Sequence, residues 1–278
     1  MNVGLLVHGG RPDAHELALE VCRWLADRGH KVVLATDEAA LLGLESFVPD
    51  DDAVTLDLVL AIGGDGTVLR AARRAVLADA PVLGINLGEL GYLAEVERAG
   101  WEAALTSVLA GEHAIEERLM VSAETPSGAS LPAALNEVVI EKQASGRTVR
   151  LGVTIDGGFF TSYRTDGIII ATPTGSTAYS LSARGPIVAP THRALLLTPV
   201  SPHTLFDRSL VLGPESVVQV EVLDEHEAVL SLDGQVAEEL PVGSVVTIRA
   251  AERPARFATF GGRNFHQILK AKFRLSDR

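Results

Sequence analysis

The rhythm of apolar residues changes once along this chain, and that change constrains the fold more than any composition figure. Up to about Gly111 the runs NVGLLVH, HKVVLAT, LDLVLAI and PVLGIN read as strands, and helical patterns separate them. AHELALEVCRWLADRG carries apolar residues at helical spacing and ends at Gly29, and WEAALTSVLAG is closed by Gly111. Strand and helix in alternation specify a parallel α/β sheet. Beyond His113 the runs shorten to LMVSAE, ALNEVVIEK, VRLGVTIDG, FFTSYR, GIIIATP, SLVLG, VVQVEVL, AVLSLDG and SVVTIRA. Gly, Pro and Asp punctuate them about every eight to twelve residues, as in an antiparallel sandwich. The expected architecture is an α/β domain with a parallel sheet over residues 1–112 and an all-β sandwich over 113–252. The segment 253–278, with the helical NFHQILKAKFRLSDR, is expected to pack back on the first domain.

A chain of 278 residues with 47% apolar and 22% charged side chains can bury two cores and is not disordered. Its net charge of −12 offers nothing to neutralise phosphates over a wide surface, which argues against nucleic acid or an anionic membrane as partner. Any phosphate site must be local. Cys22 is the single cysteine, so intramolecular disulfides and thiolate zinc sites are excluded, and the eight histidines form no HExxH pair. No protein-built metal site is expected. The stretch MNVGLLVHGGRPD lacks the features of a signal peptide, and no apolar run reaches transmembrane length, so the expected location is cytoplasmic.

Four stretches carry the chemistry. GGDGTVLRA, Gly63–Ala71, joins a buried strand to a helix. Glycines let backbone N–H groups approach a ligand, and a helix N-terminus favours anions, so phosphate is the natural guest. Asp65 is itself an anion, and beside phosphate it needs metal or chemistry to offset it. Read as structure alone it would cap the helix, but a cap does not require the paired glycines. TDGIIIATPTGSTAYSLSARGPIV, Thr165–Val188, ends a strand in hydroxyls and glycine and continues as a short helix in which Tyr179 and Ser182 share a face. Hydroxyls and free N–H groups suit an adenine edge or a ribose, and Tyr179 can stack; the plain alternative is a polar turn with a capped helix. NEVVIEK puts Asn136 and Glu137 at a strand start, where both can reach one ligand only at an end or a bulge. Taken alone it reads as strand-edge decoration, and LDGQ, Leu232–Gln235, as a hairpin turn.

With NLGELGYLAEV, EERLMV and SPHTLFDRSLVL, these stretches occur in the order of the bacterial NAD kinases, and the chain resembles that family over nearly its whole length. GGDG by itself is shared with diacylglycerol- and sphingosine-type lipid kinases; the TPTGSTAYS block separates this family from them. The resemblance implies transfer of a phosphoryl group from ATP, or in some members inorganic polyphosphate, to the 2′-hydroxyl of the adenosine ribose of NAD, with a divalent metal such as Mg²⁺ accompanying the nucleotide. It implies Asp65 as proton acceptor with Gly66 and Arg70 beside it. It implies Asn136, Glu137, Thr177, Ala178, Tyr179 and Ser182 as dinucleotide contacts, with Arg147, Arg164, Asp166 and Gln235 as further ones. Gly63, Gly64, Gly66 and Thr67 would face the phosphoryl donor, and a homodimer or homotetramer is implied.

Within that resemblance Asp65 has a reason to be there, since a carboxylate can take the proton of the attacking sugar hydroxyl. Arg184 departs from the pattern, because most relatives have glycine there. It is expected to keep an ordinary backbone conformation or to form an ion pair, within the chain or across a subunit contact, with a structural role that Arg184→Gly would expose as lost thermal stability or weakened oligomerisation while turnover on NAD is largely kept. Ser209 replaces a frequent proline. A lipid kinase would need an apolar acyl groove and a membrane-binding face, and a non-catalytic dinucleotide sensor would have no use for Asp65. Ser176 is not in a GxSxG elbow, and HGGRPD lacks GxGxxG, which disfavours a hydrolase and a Rossmann oxidoreductase.

Overall fold

The structure is a computed structural model that describes residues 1–44, 47, 55–88, 91–144, 146–223, 226–261 and 264–275. Residues 89 and 90 of the NLGELGYLAEV motif and 276–278 of the terminal segment therefore lie outside the described residues. The chain divides into two compact units, Met1–Glu117 with Ala255–Arg278, and Arg118–Pro254.

The first unit begins β1 (Asn2–Val7), α1 (Pro12–Asp27), β2 (Lys31–Val33), α2 (Thr36–Leu42), β3 (Leu58–Gly63), α3 (Asp65–Ala78), β4 (Val82–Asn86), β5 (Val96–Glu97), α4 (Trp101–Leu109) and β6 (Ala114–Arg118). Helix α1 forms because Pro12 suits its first turn and Ala14, Leu17, Ala18, Val21, Cys22 and Leu25 share one buried face. It stops in a Schellman motif: Gly29, at φ +74°, donates to the Ala26 carbonyl at 2.9 Å, and His30 donates to that of Leu25 at 3.0 Å. Strands β3 and β4 are buried at every residue, as parallel strands covered on both faces are, and each Leu, Ile or Val there contributes about 1.5–3 kcal/mol. The strand order β2-β1-β3-β4, parallel throughout, sends the chain outward from β1 in one direction and from β3 in the other. That is a topological switch point, where open α/β sheets bind ligands at the carboxyl ends of the strands. GGDG lies at the carboxyl end of β3.

The second unit contains β7 (Val121–Glu124), β8 (Glu137–Lys142), β9 (Val149–Ile155), β10 (Gly158–Thr165), β11 (Gly167–Ala171), α5 (Tyr179–Ser182), β12 (Leu195–Val200), β13 (Leu210–Leu212), β14 (Val218–Val222), β15 (Ala228–Leu232), β16 (Gln235–Leu240) and β17 (Val245–Ala250). They form two antiparallel sheets, β10-β9-β14-β17-β7 and β13-β12-β11-β8-β15-β16. Alternation explains the core: Val138, Ile140, Ile168 and Ile170 point into one cluster with Leu151, Val153, Val218 and Val220 of the other sheet. Val139, Ile169 and Ala171, one residue out of step, bury on the opposite face against Ala183 and Val188, which docks the segment after α5 onto the sheet.

The chain then returns to the first unit as β18 (Ala255–Thr259), parallel to β4, and α6 (Phe265–Lys272), whose Asn264 cap accepts from the His266 N–H at 2.9 Å. Strand β6 lies next to β18 in the first sheet, so that sheet takes residues beyond the expected limit at 112. Among the described residues no helix is long and apolar enough to cross a membrane.

Candidate active site

In the first unit the path of GGDG is set by close packing. A Cβ on Gly63 would stand 2.4 Å from Thr67 Oγ1 and 3.0 Å from His8 Cβ, so only glycine lets β3 turn tightly into α3. Thr67 is 3% exposed with its side chain against Gly63, whereas Gly64 and Gly66 have open space where a side chain would be. Asp65 is the first residue of α3, whose N-cap is Gly64, and no side chain caps this helix. Its carboxylate turns away to accept two backbone N–H groups, Tyr92 to Oδ2 at 2.9 Å and Leu93 to Oδ1 at 3.1 Å. A Cβ on Gly91 would be 2.1 Å from Asp65 Oδ1, so the glycine of GYLAEV is what admits the carboxylate. Arg70, one turn along α3, forms an ion pair with Glu38 of α2.

In the second unit Gly175 does the corresponding work. A Cβ on it would be 2.1 Å from the Asn136 carbonyl oxygen, so the TPTGST turn lies directly on the strand that begins NEVVIEK. The Thr172 N–H donates to that carbonyl at 2.8 Å, and Thr172 Oγ1 donates to the Leu135 carbonyl at 2.6 Å. Most hydroxyls of the block lock it internally: Ser176 Oγ bonds the Val188 carbonyl and N–H, both at 3.0 Å, and Thr177 Oγ1 donates to the Thr174 carbonyl. Thr174, Ser176 and Ser180 are buried, Thr177, Ala178, Leu181 and Ala183 are half-buried, and Tyr179 and Ser182 are exposed. Tyr179 and Ser182 line one cavity of about 490 Å³. Ser209 joins Thr198, at 2.9 Å, in a hydroxyl chain to Ser180.

LDGQ is a two-residue hairpin loop between β15 and β16, with Asp233 at φ +47° and Gly234 at φ +75°. It is also more than a turn. The Asp233 carboxylate accepts the N–H groups of Leu135 (3.0 Å), Asn136 (2.7 Å) and Glu137 (3.2 Å), and its own N–H donates to the Glu137 carbonyl at 3.0 Å. Sequence reasoning missed Asp233 and the amides of Tyr92 and Leu93; the signal available was only that each sits in a motif whose other residues had been noticed. Asn136 precedes β8 and Glu137 begins it, the strand-end arrangement that lets neighbours reach one ligand.

Glu137 is 5% exposed, and its Oε2 has no hydrogen-bond partner. Burial, and then the Asp233 carboxylate, push its pKa up to about 8, against the opposing N–H of Tyr179. A carboxyl that keeps its proton in the folded state while losing it at ordinary acidity when unfolded makes stability fall as pH rises from about 4.5 to about 8. Glu137→Gln, which mimics the neutral form, should therefore gain stability over the parent as pH is raised across that window. Urea titrations at pH 5 and pH 8 check this, and a difference that does not grow with pH contradicts it. Asp166 forms an ion pair with Lys142, Gln235 opens β16 in an exposed position, and Arg147 and Arg164 are exposed. Among the described residues no group of three His, Cys, Asp or Glu could hold a metal ion.

Arg184 departs from the ordinary backbone conformation expected of it. It stands at φ +65° and makes no ion pair among the described residues. It occupies the position in the Schellman motif closing α5 that Gly29 occupies after α1: its N–H donates to the Leu181 carbonyl at 3.0 Å, and Gly185 donates to that of Ser180 at 2.7 Å. An arginine there costs about 1 kcal/mol relative to glycine, so relief of strain, not lost stability, follows from Arg184→Gly.

Glycines at a strand end leave room for phosphate, and a carboxylate already oriented by amides can accept a hydroxyl proton. Joined to a two-unit α/β and all-β chain, they define a phosphotransferase that acts on an alcohol. Residues 3–113 match the family described as the ATP-NAD kinase N-terminal domain, and residues 135–260 the ATP-NAD kinase C-terminal domain. The chain is 40% identical to the NAD kinase of Moorella thermoacetica over 98% of its own length and 89% of that protein's. It is also 40% identical to the NAD kinase of Heliobacterium modesticaldum, over 97% of each. Among solved structures it is similar to a yeast NADH kinase complexed with NADH (TM-score 0.86, 25% identity, covering 100% of this chain and 89% of that one). It is similar also to an NAD kinase from Archaeoglobus fulgidus in complex with ATP (TM-score 0.76, 25% identity, covering 100% of both). The chain belongs to the NAD kinase family, with that family's two-domain fold and NAD kinase activity.

Proposed function

We propose that the chain transfers the terminal phosphoryl group of ATP to the 2′-hydroxyl of the adenosine ribose of NAD, giving NADP and ADP, with Asp65 taking the hydroxyl proton. The observation that carries this is the Asp65 carboxylate, fixed by the Tyr92 and Leu93 amides. Each oxygen accepts one N–H and keeps a further acceptor site for the sugar hydroxyl. As the ribose oxygen forms its bond to phosphorus and the bond to ADP breaks, the hydroxyl proton passes to Asp65. Positioning supplies most of the remaining acceleration.

Asn136, Glu137, Thr177, Ala178, Tyr179 and Ser182 are assigned to NAD, supported by Asn136 and Glu137 meeting at Asp233, by Gly175 lying on the Asn136 carbonyl with Ala178 bonded to it, and by Tyr179 and Ser182 lining one cavity. Arg147, Arg164, Asp166 and Gln235 are assigned as further contacts, and Arg70 as a support of α3 through Glu38. Gly64 and Gly66, which have space beside them, are assigned to the donor's phosphates, with Gly63 and Thr67 shaping the turn. Among the described residues no three of His, Cys, Asp or Glu build a metal cage, and Mg²⁺ is assigned to the substrate, as the ATP complex. A homodimer or homotetramer in the cytoplasm is the assembly and location that go with this reading. The test is incubation of the purified protein with NAD and ATP, with Mg²⁺ or with excess EDTA, read by NADP formation. NADP with Mg²⁺ and none with EDTA is expected. No NADP with either ATP or polyphosphate overturns the reading.

A further inference from the structure

Phosphoryl transfer as assigned above makes no use of Arg184, although its placement is unusual. It is an exposed arginine in a backbone conformation that glycine adopts freely, as Gly29 does in the same motif after α1. Arg184 is among the residues lining the 490 Å³ cavity, together with Tyr179, Ser182, Ser201 and Asp207. Ser201 is also in the left-handed region, at φ +47°, so two non-glycine residues under backbone strain line the one cavity. Strain of this kind persists where the surrounding structure holds it, and it gathers at ligand sites. The charges of the cavity are not matched to each other: the Asp207 carboxylate pairs with Arg208 at 3.6 Å. The Arg184 guanidinium has no ion pair or side-chain hydrogen bond among the described residues. It is a planar set of donors without an acceptor, on a residue of the cavity that Tyr179 also lines.

We propose that Arg184 is a specificity-determining residue for the nucleotide, its guanidinium binding a phosphate oxyanion of the dinucleotide that enters this cavity. The inference rests on the assignment of Tyr179 and Ser182 to NAD. Guanidinium and phosphate match in geometry as well as charge, and the strained backbone is the consequence of placing that group where glycine would leave the wall neutral. Two phosphates could be the one bound, the pyrophosphate common to NAD and NADP, or the 2′-phosphate that only NADP carries.

Calorimetry with NAD, NADP and adenosine, on the parent protein and on Arg184→Gly, Arg184→Lys and Tyr179→Ala, separates these. Glycine suits φ +65°, so Arg184→Gly keeps the fold, and an unchanged or raised melting temperature shows that weaker binding is not unfolding. The expected result is an about tenfold loss of nucleotide affinity in Arg184→Gly, partial recovery in Arg184→Lys, and no change for adenosine. A loss shared by NAD and NADP assigns the pyrophosphate; a loss confined to NADP assigns the 2′-phosphate. Unchanged affinity for both nucleotides, or an equal loss for adenosine, overturns the role of Arg184. If in addition Tyr179→Ala binds NAD and adenosine as the parent does, the assignment of the cavity to NAD fails beneath it.

Discussion

Asp65→Asn is expected to lower turnover by about 10²–10⁴ while leaving NAD affinity within a few-fold, the size of a lost general base. The amide keeps the shape of the carboxylate, and its oxygen can still accept one of the two N–H groups, from Tyr92 or Leu93. Its NH2 faces the other as donor against donor, a local cost about that of one hydrogen bond. Gly91 leaves space for either group. What cannot be kept is the ability to hold a proton through the transfer. Steady-state kinetics together with NAD calorimetry read the two effects separately, and near-parental turnover would remove the proton from Asp65.

The second large effect is expected at a residue that touches no reacting atom. Asp233→Ala takes the acceptor from three N–H groups at once, those of Leu135, Asn136 and Glu137. Each bond to a carboxylate contributes about 1.5–3 kcal/mol, and water can replace part of the loss at this half-buried turn, so a destabilisation of about 3 kcal/mol is expected. Alanine is also poorly suited to the φ of +47° that aspartate adopts here. With the start of β8 released, Asn136 and Glu137 lose their fixed positions, and NAD affinity should fall with the stability. Asp233→Asn, which retains one acceptor and tolerates the turn, should recover most of the stability. Urea unfolding and NAD calorimetry on both variants measure this. An Asp233→Ala protein as stable as its parent would mean that the hairpin loop does not organise β8.

How much of this could be read from the chain follows from the range of each interaction. Helix α1, closed at Gly29, and the buried strands β3 and β4 are local patterns, and the two rhythms predict the two-unit architecture that the structure has. Strands β6 and β16 escape because AIEER and QVAEEL carry charges on exposed edges, where no apolar alternation marks them. Strand β12, LLLTPV, is apolar without alternation because both faces are covered, and such a run does not announce its type. The organisers of the site are hidden for another reason. Asp65 meets Leu93 across 28 positions, and Asp233 meets Asn136 across 97, so no window of sequence contains either pair. Motifs named the participants, and only the sheet order placed GGDG at a switch point. At Arg184 the sequence shows an arginine but not its φ, and the φ is what turns a surface charge into a constrained wall of a cavity.

The position of the new phosphate tests the central claim most directly. NAD and its 2′-deoxy and 3′-deoxy adenosine-ribose analogues are each incubated with the protein and Mg·ATP, and the products are assigned by phosphorus NMR. NAD and the 3′-deoxy analogue are expected to gain a phosphate on the 2′-oxygen, and the 2′-deoxy analogue to gain none. Phosphorylation of the 2′-deoxy analogue, or a phosphate on any other oxygen of NAD, would contradict it.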